Sequence, residues 1–277
     1  MNRGGSLLKR TLTAVVFAAV MVACFCWKEA YLIVFSLLAV SMSVEFYRLV
    51  IPSGKFLRER ICVILSEVML FVLVTLFRTS APSLIFLAVF PVIVAFVFML
   101  FDCCEKYDFE AALFFPLLYV ALPLVSTNWI VFDGDGVFNG IPLLLIFVII
   151  WMNDIGAYLI GMGFGQKPDS RKLFPALSPK KSWAGLYGGV AFSFASAFAV
   201  WKIFPGCYPL VHWMAIALIV SVLGISGDLF ESLLKRHASV KDSGNILPGH
   251  GGSLDRFDAA LLILPAVAAY LRIFAVI

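Results

Sequence analysis

Acidic side chains near the end of the chain have a spacing that suits metal binding. Asp228, Glu231 and Lys235 are spaced i, i+3 and i+7, which places them on one face of a helix. Asp255 and Asp258 repeat the i, i+3 spacing at the start of the last apolar run. Carboxylates at the ends of two adjacent helices can converge on a divalent cation, and Mg²⁺ takes such ligands together with phosphates and water. We therefore predict a metal site at Asp228, Asp255 and Asp258.

Four cations accompany these carboxylates in the same segment. They are Lys235, Arg236, Lys241 and Arg256, and Asp242 adds a further acidic group. A single carboxylate there would most simply be a solvated helix end paired with a neighbouring cation. Three carboxylates, four cations and a glycine-rich turn in so short a stretch instead favour a site for a highly charged anion.

The glycine-rich turn is Gly249-His250-Gly251-Gly252, just ahead of the last predicted helix. Glycine lets a backbone N–H approach a phosphate closely, and the start of a helix favours an anion. We expect Gly249, Gly251 and Gly252 to bind phosphate and His250 to contact the ligand. The turn is not a P-loop, because no Lys-Ser/Thr pair follows it.

A second basic segment precedes the helix predicted from residue 183. Ser178, Lys180 and Lys181 follow Arg171 and Lys172 within it. Basic clusters at a membrane surface often only attract anionic headgroups, which contributes about 1 kcal/mol per charge. The alternative is a phosphate-binding loop, either for a lipid phosphate or for a nucleotide.

Three further carboxylates fall inside apolar runs, where ionisable groups are costly and therefore candidates for function. Asp154 lies about a dozen residues ahead of the basic segment, which makes it the best candidate of the three. Glu45 has Arg48 at i+3, so a local ion pair is the simplest prediction for it. Glu67 lies within the third predicted helix.

The composition identifies the surroundings of these groups as a membrane. The chain has 277 residues, of which 62% are apolar and 14% charged. A soluble domain is about 45–50% apolar and about 25% charged, so soluble, disordered and disulfide-framework classes are excluded. Apolar runs bounded by charges, proline or glycine predict an all-α polytopic membrane protein with about nine transmembrane helices. They are expected at residues 11–27, 30–51, 61–77, 82–101, 111–132, 140–161, 183–204, 207–227 and 259–277.

The distribution of basic residues predicts the orientation. With nine spans and a cytoplasmic N-terminus, seventeen of the 21 Lys and Arg residues lie on the cytoplasmic side. Such an excess is typical of cytoplasmic loops. We therefore expect the two long loops, residues 162–182 and 228–258, on the cytoplasmic face.

We expect one integral membrane domain over residues 1–277. Its N-terminal helices occupy residues 1–101, and residues 140–277 form the half that carries the two loops. Glycines at 161–165 and 185–189 permit close helix packing, either within the bundle or in a homodimer. The six cysteines have no metal-site or disulfide spacing, so we interpret them as small apolar residues.

The segment Ser232–Asp258, with Lys241-Asp242-Ser243-Gly244 and Gly249-His250-Gly251-Gly252-Ser253-Leu254-Asp255-Arg256-Phe257-Asp258, resembles the signature of phosphatidate cytidylyltransferases. The segment from Trp151 to Asp154 and the segment from Ser178 to Trp183 are also similar to that family. Two positions differ, because Ile155 stands where the family has a small hydroxylated residue and Ala184 where it has a glutamate. The first hundred residues are similar only in their hydrophobic spans and in Glu45.

The resemblance implies that phosphatidic acid and CTP react to give CDP-diacylglycerol and pyrophosphate with Mg²⁺. It implies metal binding by Asp228, Asp255 and Asp258, and phosphate neutralisation by the four cations named above. Lys180 and Lys181 would hold the lipid phosphate. The expected setting is the bacterial inner membrane among its lipids, with a cytoplasmic active site and no nucleic-acid partner.

Other functions fit parts of the same pattern. The nearest is a CTP-dependent polyprenol-type lipid kinase. A transporter for an anionic solute would explain Asp154 and the glycines, but it predicts inverted repeats and a site at mid-membrane. The sequence contains no such repeat, and its polar residues gather at one face. A CDP-alcohol phosphotransferase is less favoured, because its long aspartate pattern is missing.

Overall fold

The structure, a computed structural model, is an all-helical bundle with one small hairpin. It describes residues 16, 18–52, 54–78, 80–101, 110–167, 170–175, 177–244, 246 and 251–274. The helices are α1 (Lys28–Val50), α2 (Leu57–Phe77), α3 (Val89–Phe101), α4 (Glu110–Pro116), α5 (Leu122–Ser126), α6 (Asn128–Val131), α7 (Ile141–Phe164), α8 (Trp183–Ile203), α9 (Leu210–His237) and α10 (Leu254–Ile273). The hairpin consists of β1 (Lys172–Phe174) and β2 (Ser178–Ser182).

Seven helical segments in the described residues are long and apolar enough to cross a membrane. They correspond to the second through eighth predicted spans, so the protein is a polytopic all-α membrane protein. Helix α10 has the length but is not among the seven, because it carries Asp255, Arg256, Asp258 and Arg272. Of the first predicted span, 11–27, the structure describes residue 16 and residues 18–27, which are helical through residue 26.

The two predicted cytoplasmic loops are shorter than expected. Residues 228–237 continue α9, so the second connection runs only from residue 238 to residue 253. The charged face at Asp228, Glu231 and Lys235 is therefore helical, as its spacing indicates, although the apolar run ends before it. In the first connection, α7 extends to Phe164 and the hairpin occupies most of the rest.

Two proline-containing segments depart from regular α-helix. Residues Pro82–Ala88 form a 3₁₀-helix that leads into α3. Between α4 and α5, residues Leu117–Ala121 form a π-helical turn. The ring of Pro123 would clash with the carbonyl of the residue four positions earlier, and a wider turn relieves such a clash. One predicted span, 111–132, is therefore four short pieces in a row.

Glycines set the closest helix contacts of the C-terminal half. A Cβ atom at Gly156 of α7 would lie 2.6 Å from the Gly188 carbonyl oxygen of α8, and one at Gly185 would lie 3.0 Å from the Ala157 carbonyl oxygen. The predicted glycine packing thus occurs within one chain. Between α9 and α10, a Cβ atom at Gly227 would lie 2.9 Å from the Cα atom of Ala259.

The hairpin closes one end of this half and starts α8. Lys172 pairs with Ser182 and Phe174 pairs with Ser178 across its two strands. The Ser182 hydroxyl accepts a hydrogen bond from the Gly185 N–H at 3.2 Å and so caps α8. Lys172 Nζ donates to the Gly165 carbonyl at 2.7 Å, which ties the hairpin to the end of α7.

Candidate active site

Three carboxylates meet where α9 and α10 approach each other. Asp228 and Glu231 come from α9 and Asp258 from α10, and one oxygen of each lies within 4.8 Å of the others. Gly227 permits this meeting, because a side chain there would overlap the backbone at Asp258 and Ala259. We call Asp228, Glu231 and Asp258 the triad. Oxygen ligands at this separation are what a hard divalent cation requires.

Not every oxygen of the triad accepts a hydrogen bond from the residues that the structure describes. Glu231 is 1% exposed, and its Oε1 has no hydrogen-bond partner within the part of the chain that the structure describes. Asp258 Oδ1 accepts one hydrogen bond from the Ala259 N–H at 2.7 Å. An unsatisfied buried carboxylate oxygen is costly. A cation bound between the three carboxylates would remove that cost.

Lys235 links the triad to a separate carboxylate. Its Nζ donates to Glu231 Oε2 at 2.8 Å and to Asp255 Oδ1 at 2.7 Å. The other Asp255 oxygen accepts from the Ser243 N–H at 2.9 Å and from the Gly252 N–H at 2.8 Å. Asp255 therefore has its bonds within the chain and lies outside the triad, where the sequence predicts it as a metal ligand.

The two aspartates at the start of α10 have opposite electrostatic surroundings. Burial alone would raise the pKa of the Asp255 carboxyl, but the hydrogen bonds from Lys235 and Gly252 and the positive charge of Lys235 outweigh it and hold that pKa well below its usual range. Burial raises the pKa of the Asp258 carboxyl, and the negative charge of Asp228 raises it further. A cation bound beside Asp258 would favour the charged form of this carboxyl and lower its pKa again.

A cavity of about 690 Å³ opens from the triad between α7, α8 and α9 and below the hairpin. Its size suits a ligand of nucleotide dimensions, since such sites span about 300–1,000 Å³. Both charged groups and apolar side chains line it. The charged residues are Asp154, Lys180, Lys181, Asp228, Glu231, Lys235, Asp255 and Asp258, and the apolar ones are Ala157, Tyr158, Met162, Leu173, Leu186 and Ile225.

The hairpin brings Lys180 and Lys181 to the cavity. Lys181 Nζ lies 2.5 Å from Asp228 Oδ2, so the basic segment and the triad form one charged site. Lys180 lines the same cavity from the exposed side of β2. The main chain of Lys180 is fixed by Gln166, whose Nε2 donates to its carbonyl at 2.9 Å.

The start of α10 is already occupied by an anion from the N-terminal half. Glu45 of α1 accepts hydrogen bonds from the N–H groups of Ser253 at 3.0 Å and Leu254 at 2.8 Å. The predicted local pair of Glu45 with Arg48 is therefore wrong. The phosphate contact predicted at Gly252 stays a prediction, and in this structure the Gly252 N–H donates to Asp255.

Comparison with known proteins identifies the family of the chain. The family described as the cytidylyltransferase family matches residues 8–274. The chain belongs to the cytidylyltransferase family. Among its relatives are proteins named phosphatidate cytidylyltransferase from Bacillus subtilis, 45% identical over 127 residues, and from Staphylococcus aureus, 43% identical over 123 residues. The matched segments cover 46% of each relative's length, and 46% and 44% of this chain, so the alignment spans about half of the relatives.

Several predicted site residues of this cytidylyltransferase-family chain do not line the cavity. Arg236, Lys241 and Asp242 are exposed. Arg256 is also exposed and interacts electrostatically with Asp154. Ser178 belongs to β2 and does not line the cavity. Gly249 and His250 lie outside the described residues.

Spacing along the chain does not identify every residue that shapes the site. Glu231 replaces Asp255 in the triad, although its i, i+3 spacing from Asp228 was already visible. Gly227 permits the close approach of α9 and α10. Gly251 has a φ of 85°, which favours glycine, and a side chain there would lie 2.6 Å from Asp255 Oδ2. Gly251 and Gly252, the described glycines of the turn, therefore accommodate protein carboxylates.

Proposed function

We propose that this chain transfers a cytidylyl group from CTP to phosphatidic acid and releases CDP-diacylglycerol and pyrophosphate. The observation that carries the proposal is the mixed lining of the cavity, where the triad and Lys180, Lys181 and Lys235 occur together with apolar side chains at one end of membrane-crossing helices. A substrate with an anionic headgroup and acyl chains fits such surroundings. The names of the relatives from Bacillus subtilis and Staphylococcus aureus support the same reaction.

The lipid itself supplies the nucleophile in this reaction. A phosphate monoester has its second pKa near about 6, so the phosphatidate oxygen is anionic at neutral pH and needs no general base. A bond forms between that oxygen and the α-phosphorus of CTP, and the bond from the α-phosphorus to the bridging oxygen of the pyrophosphate breaks. The main obstacle is the approach of two highly negative groups, which cationic surroundings reduce.

The residues of the triad fit Mg²⁺, because three carboxylate oxygens converge and the buried Glu231 Oε1 lacks a partner among the described residues. Bound Mg²⁺ would neutralise phosphate charge during the displacement. Asp228, Glu231 and Asp258 would hold it. Asp255 would serve instead by orienting Lys235 toward the cavity.

The lysines divide between the two substrates in this proposal. Lys181 and Lys180 lie on the hairpin at the edge of the cavity and would bind the lipid phosphate. Lys235 would neutralise the triphosphate beside the triad. Arg236, Lys241 and Arg256 would attract CTP and the departing pyrophosphate through longer-range charge.

We also infer nine spans, a cytoplasmic N-terminus and an active site facing the cytoplasm of a bacterial inner membrane. The excess of Lys and Arg on that side supports this orientation. The glycines between α7 and α8 pack against each other within one chain. A homodimer is therefore a separate proposal. Cysteine labelling from each side of the membrane would test the orientation.

The decisive experiment follows two different labels from CTP into lipid. The purified protein in detergent receives phosphatidic acid, Mg²⁺ and CTP labelled at either the α- or the γ-phosphate. Cytidylyl transfer carries only the α-label into lipid. A lipid kinase would instead carry the γ-label into added polyprenol, which would overturn the proposal.

Two variants make this assay specific to the site. Asp258→Asn should lose the transfer, whereas Asp133→Asn, an exposed carboxylate in the loop after α6, should retain it. Equal transfer by wild type and Asp258→Asn would remove the triad from the reaction. No incorporation of either label, with polyprenol acceptors also silent, would favour the transporter.

A further inference from the structure

We propose that Glu45 is a positioning residue that sets the geometry of the triad from the N-terminal half of the molecule. Its carboxylate holds the start of α10, and α10 carries Asp258. The same carboxylate explains why glycine stands at positions 244 and 252. The inference rests on the proposed function only where activity is measured, and its metal-binding test does not depend on that function.

The Glu45 carboxylate is completely buried and fully engaged. It is 0% exposed. In addition to the two backbone N–H groups at Ser253 and Leu254, the Ser253 hydroxyl lies 3.1 Å from Oε2 and the Ser243 hydroxyl lies 3.2 Å from the same oxygen. Two backbone N–H groups and the Ser253 hydroxyl donate to this buried carboxylate, and the Ser243 hydroxyl divides its single proton between Glu45 and Asp255. The attachment is rigid, because losing either backbone donor leaves a buried polar group unpaired.

This attachment joins the triad through a short and stiff path. Leu254 is the first residue of α10, and Asp258 follows one helical turn later. Ser243 Oγ lies 3.2 Å from Glu45 and 3.0 Å from Asp255 Oδ2, so the clusters around Glu45 and around Lys235 share one hydroxyl. A shift of the first turn of α10 therefore moves Asp258 relative to Asp228 and Glu231.

Two glycines accommodate the Glu45 side chain. The three atoms nearest to a Cβ placed at Gly244 all belong to Glu45, and the Oε1 atom would overlap with it. A Cβ at Gly252 would overlap Ser243 Oγ and Glu45 Oε2, with the Glu45 Cδ at 2.6 Å. Gly244 has no positive φ, so its requirement for glycine comes from Glu45 alone.

The first test uses Glu45→Gln, which keeps the shape and replaces one acceptor oxygen by an NH₂ group. That NH₂ must face a backbone N–H or a hydroxyl that needs an acceptor. We expect Mn²⁺, a spectroscopic substitute for Mg²⁺, to bind at least about tenfold more weakly, measured from the free-Mn²⁺ electron paramagnetic resonance signal; outer-sphere partners of metal sites typically account for 10- to 100-fold. The KM for CTP should change less than kcat.

The matched control is Glu67→Gln. Glu67 is an equally buried carboxylate in α2, and its Oε2 accepts a hydrogen bond from the Ser43 hydroxyl at 2.6 Å. Within the described part of the chain, Glu67 makes no hydrogen bond to the segment before α10. Its substitution should leave Mn²⁺ affinity within about twofold. Unchanged Mn²⁺ affinity in a folded Glu45→Gln variant would overturn the proposal, and so would an equal loss in both variants.

A double-mutant cycle tests the link to Gly244 even if Glu45→Gln folds poorly. Gly244→Ala alone should weaken Mn²⁺ binding by about tenfold, because its methyl group displaces the carboxylate. In a Glu45→Ala background the same substitution should add less than a twofold loss, since the space is vacant. Additive losses would mean that Gly244 and Glu45 act independently and would overturn the assignment. Absence of CDP-diacylglycerol synthesis would affect only the proposed function.

Discussion

Two buried carboxylate sites lie at the first turn of α10, one around Glu45 and the other at the triad. They differ in how many hydrogen bonds their oxygens accept. Glu45 is surrounded by four donors at the start of α10. Glu231, in the triad, has an oxygen with no partner among the described residues. The first arrangement is complete without a ligand, so Glu45 is a supporting carboxylate, whereas the proposed cation would complete the second. Glu59 and Glu67 also have a buried oxygen without a partner among the described residues, so the convergence of three carboxylates, together with the lack of donors, distinguishes the triad.

The two kinds of carboxylate depend on each other. Asp255 belongs to the saturated kind, because Lys235, Ser243 and Gly252 all donate to it. It lies three residues from Asp258, which belongs to the unsaturated kind. The three mutually repelling carboxylates of the triad are thus held in position by a neighbouring hydrogen-bond network that is complete without a ligand. Substitutions in the two sites should therefore change activity and stability in opposite proportions.

The largest effect on activity is expected from Asp258→Asn. Loss of one charged metal ligand removes several kcal/mol of transition-state stabilisation, so kcat/KM should fall at least about a thousandfold. The melting temperature of the metal-free protein should stay the same or rise, because one of three repelling carboxylates becomes neutral. Activity assays and thermal unfolding in detergent test both parts. A marked loss of stability would place Asp258 among the supporting carboxylates.

Asp255→Asn should show the reverse balance. It weakens hydrogen bonds to a charged group, each contributing about 1.5–3 kcal/mol, so the melting temperature should fall by about 5 °C. Activity should fall by only about 10- to 100-fold, as for outer-sphere partners of metal sites. If Asp255→Asn lost as much activity as Asp258→Asn with no change in stability, Asp255 would have to be counted among the metal ligands.

The pH dependence of this stability difference follows from the lowered pKa of Asp255. A carboxylate whose pKa is lower in the folded state binds fewer protons there than in the unfolded chain. Its stabilisation is therefore complete above the ordinary aspartate pKa of about 4 and is lost as the pH falls toward the folded value. The difference in melting temperature between wild type and Asp255→Asn should be constant near pH 7 and shrink below about pH 4.

The sequence predicts the helices of this molecule better than it predicts the contacts of its carboxylates. Apolar runs locate α1, α2 and α7 within a few residues, because membrane helices are long and uniformly apolar. The last turns of α9 were missed as helix in the span boundaries, since charges lower the hydropathy while the i, i+3 spacing persists. The hairpin was missed because Ser-Pro-Lys-Lys-Ser has the composition of a loop.

The choice between Glu231 and Asp255 as metal ligand depends on tertiary contacts. Both are three residues from another aspartate, so the spacing alone treats them equally. Gly227 decides between them by bringing α9 against α10 at the level of Asp258. The role of Glu45 was even less accessible, because its partners Ser253 and Leu254 are 208 and 209 residues away along the chain.

An intermediate effect is expected from Lys181→Met, which removes the cation between the cavity and Asp228. Phosphatidate KM should rise about tenfold, equivalent to about 1.4 kcal/mol, and by more than the KM for CTP. The matched control is Lys172→Met in the same hairpin, whose amine bonds to the Gly165 carbonyl outside the cavity. An unchanged phosphatidate KM in Lys181→Met would remove this lysine from the lipid site.

The smallest effect is expected from Arg236→Gln. This substitution tests whether a cation on the surface contributes less than the cations that line the cavity. Arg236 is exposed in the last turn of α9, next to Lys235, which reaches the triad. Exposed charges contribute about 0.2–1 kcal/mol because water and salt screen them. The KM for CTP should therefore rise no more than about fivefold, and the increase should disappear in high salt. An effect as large as that of a cavity lysine, persisting in high salt, would show that Arg236 contacts CTP directly.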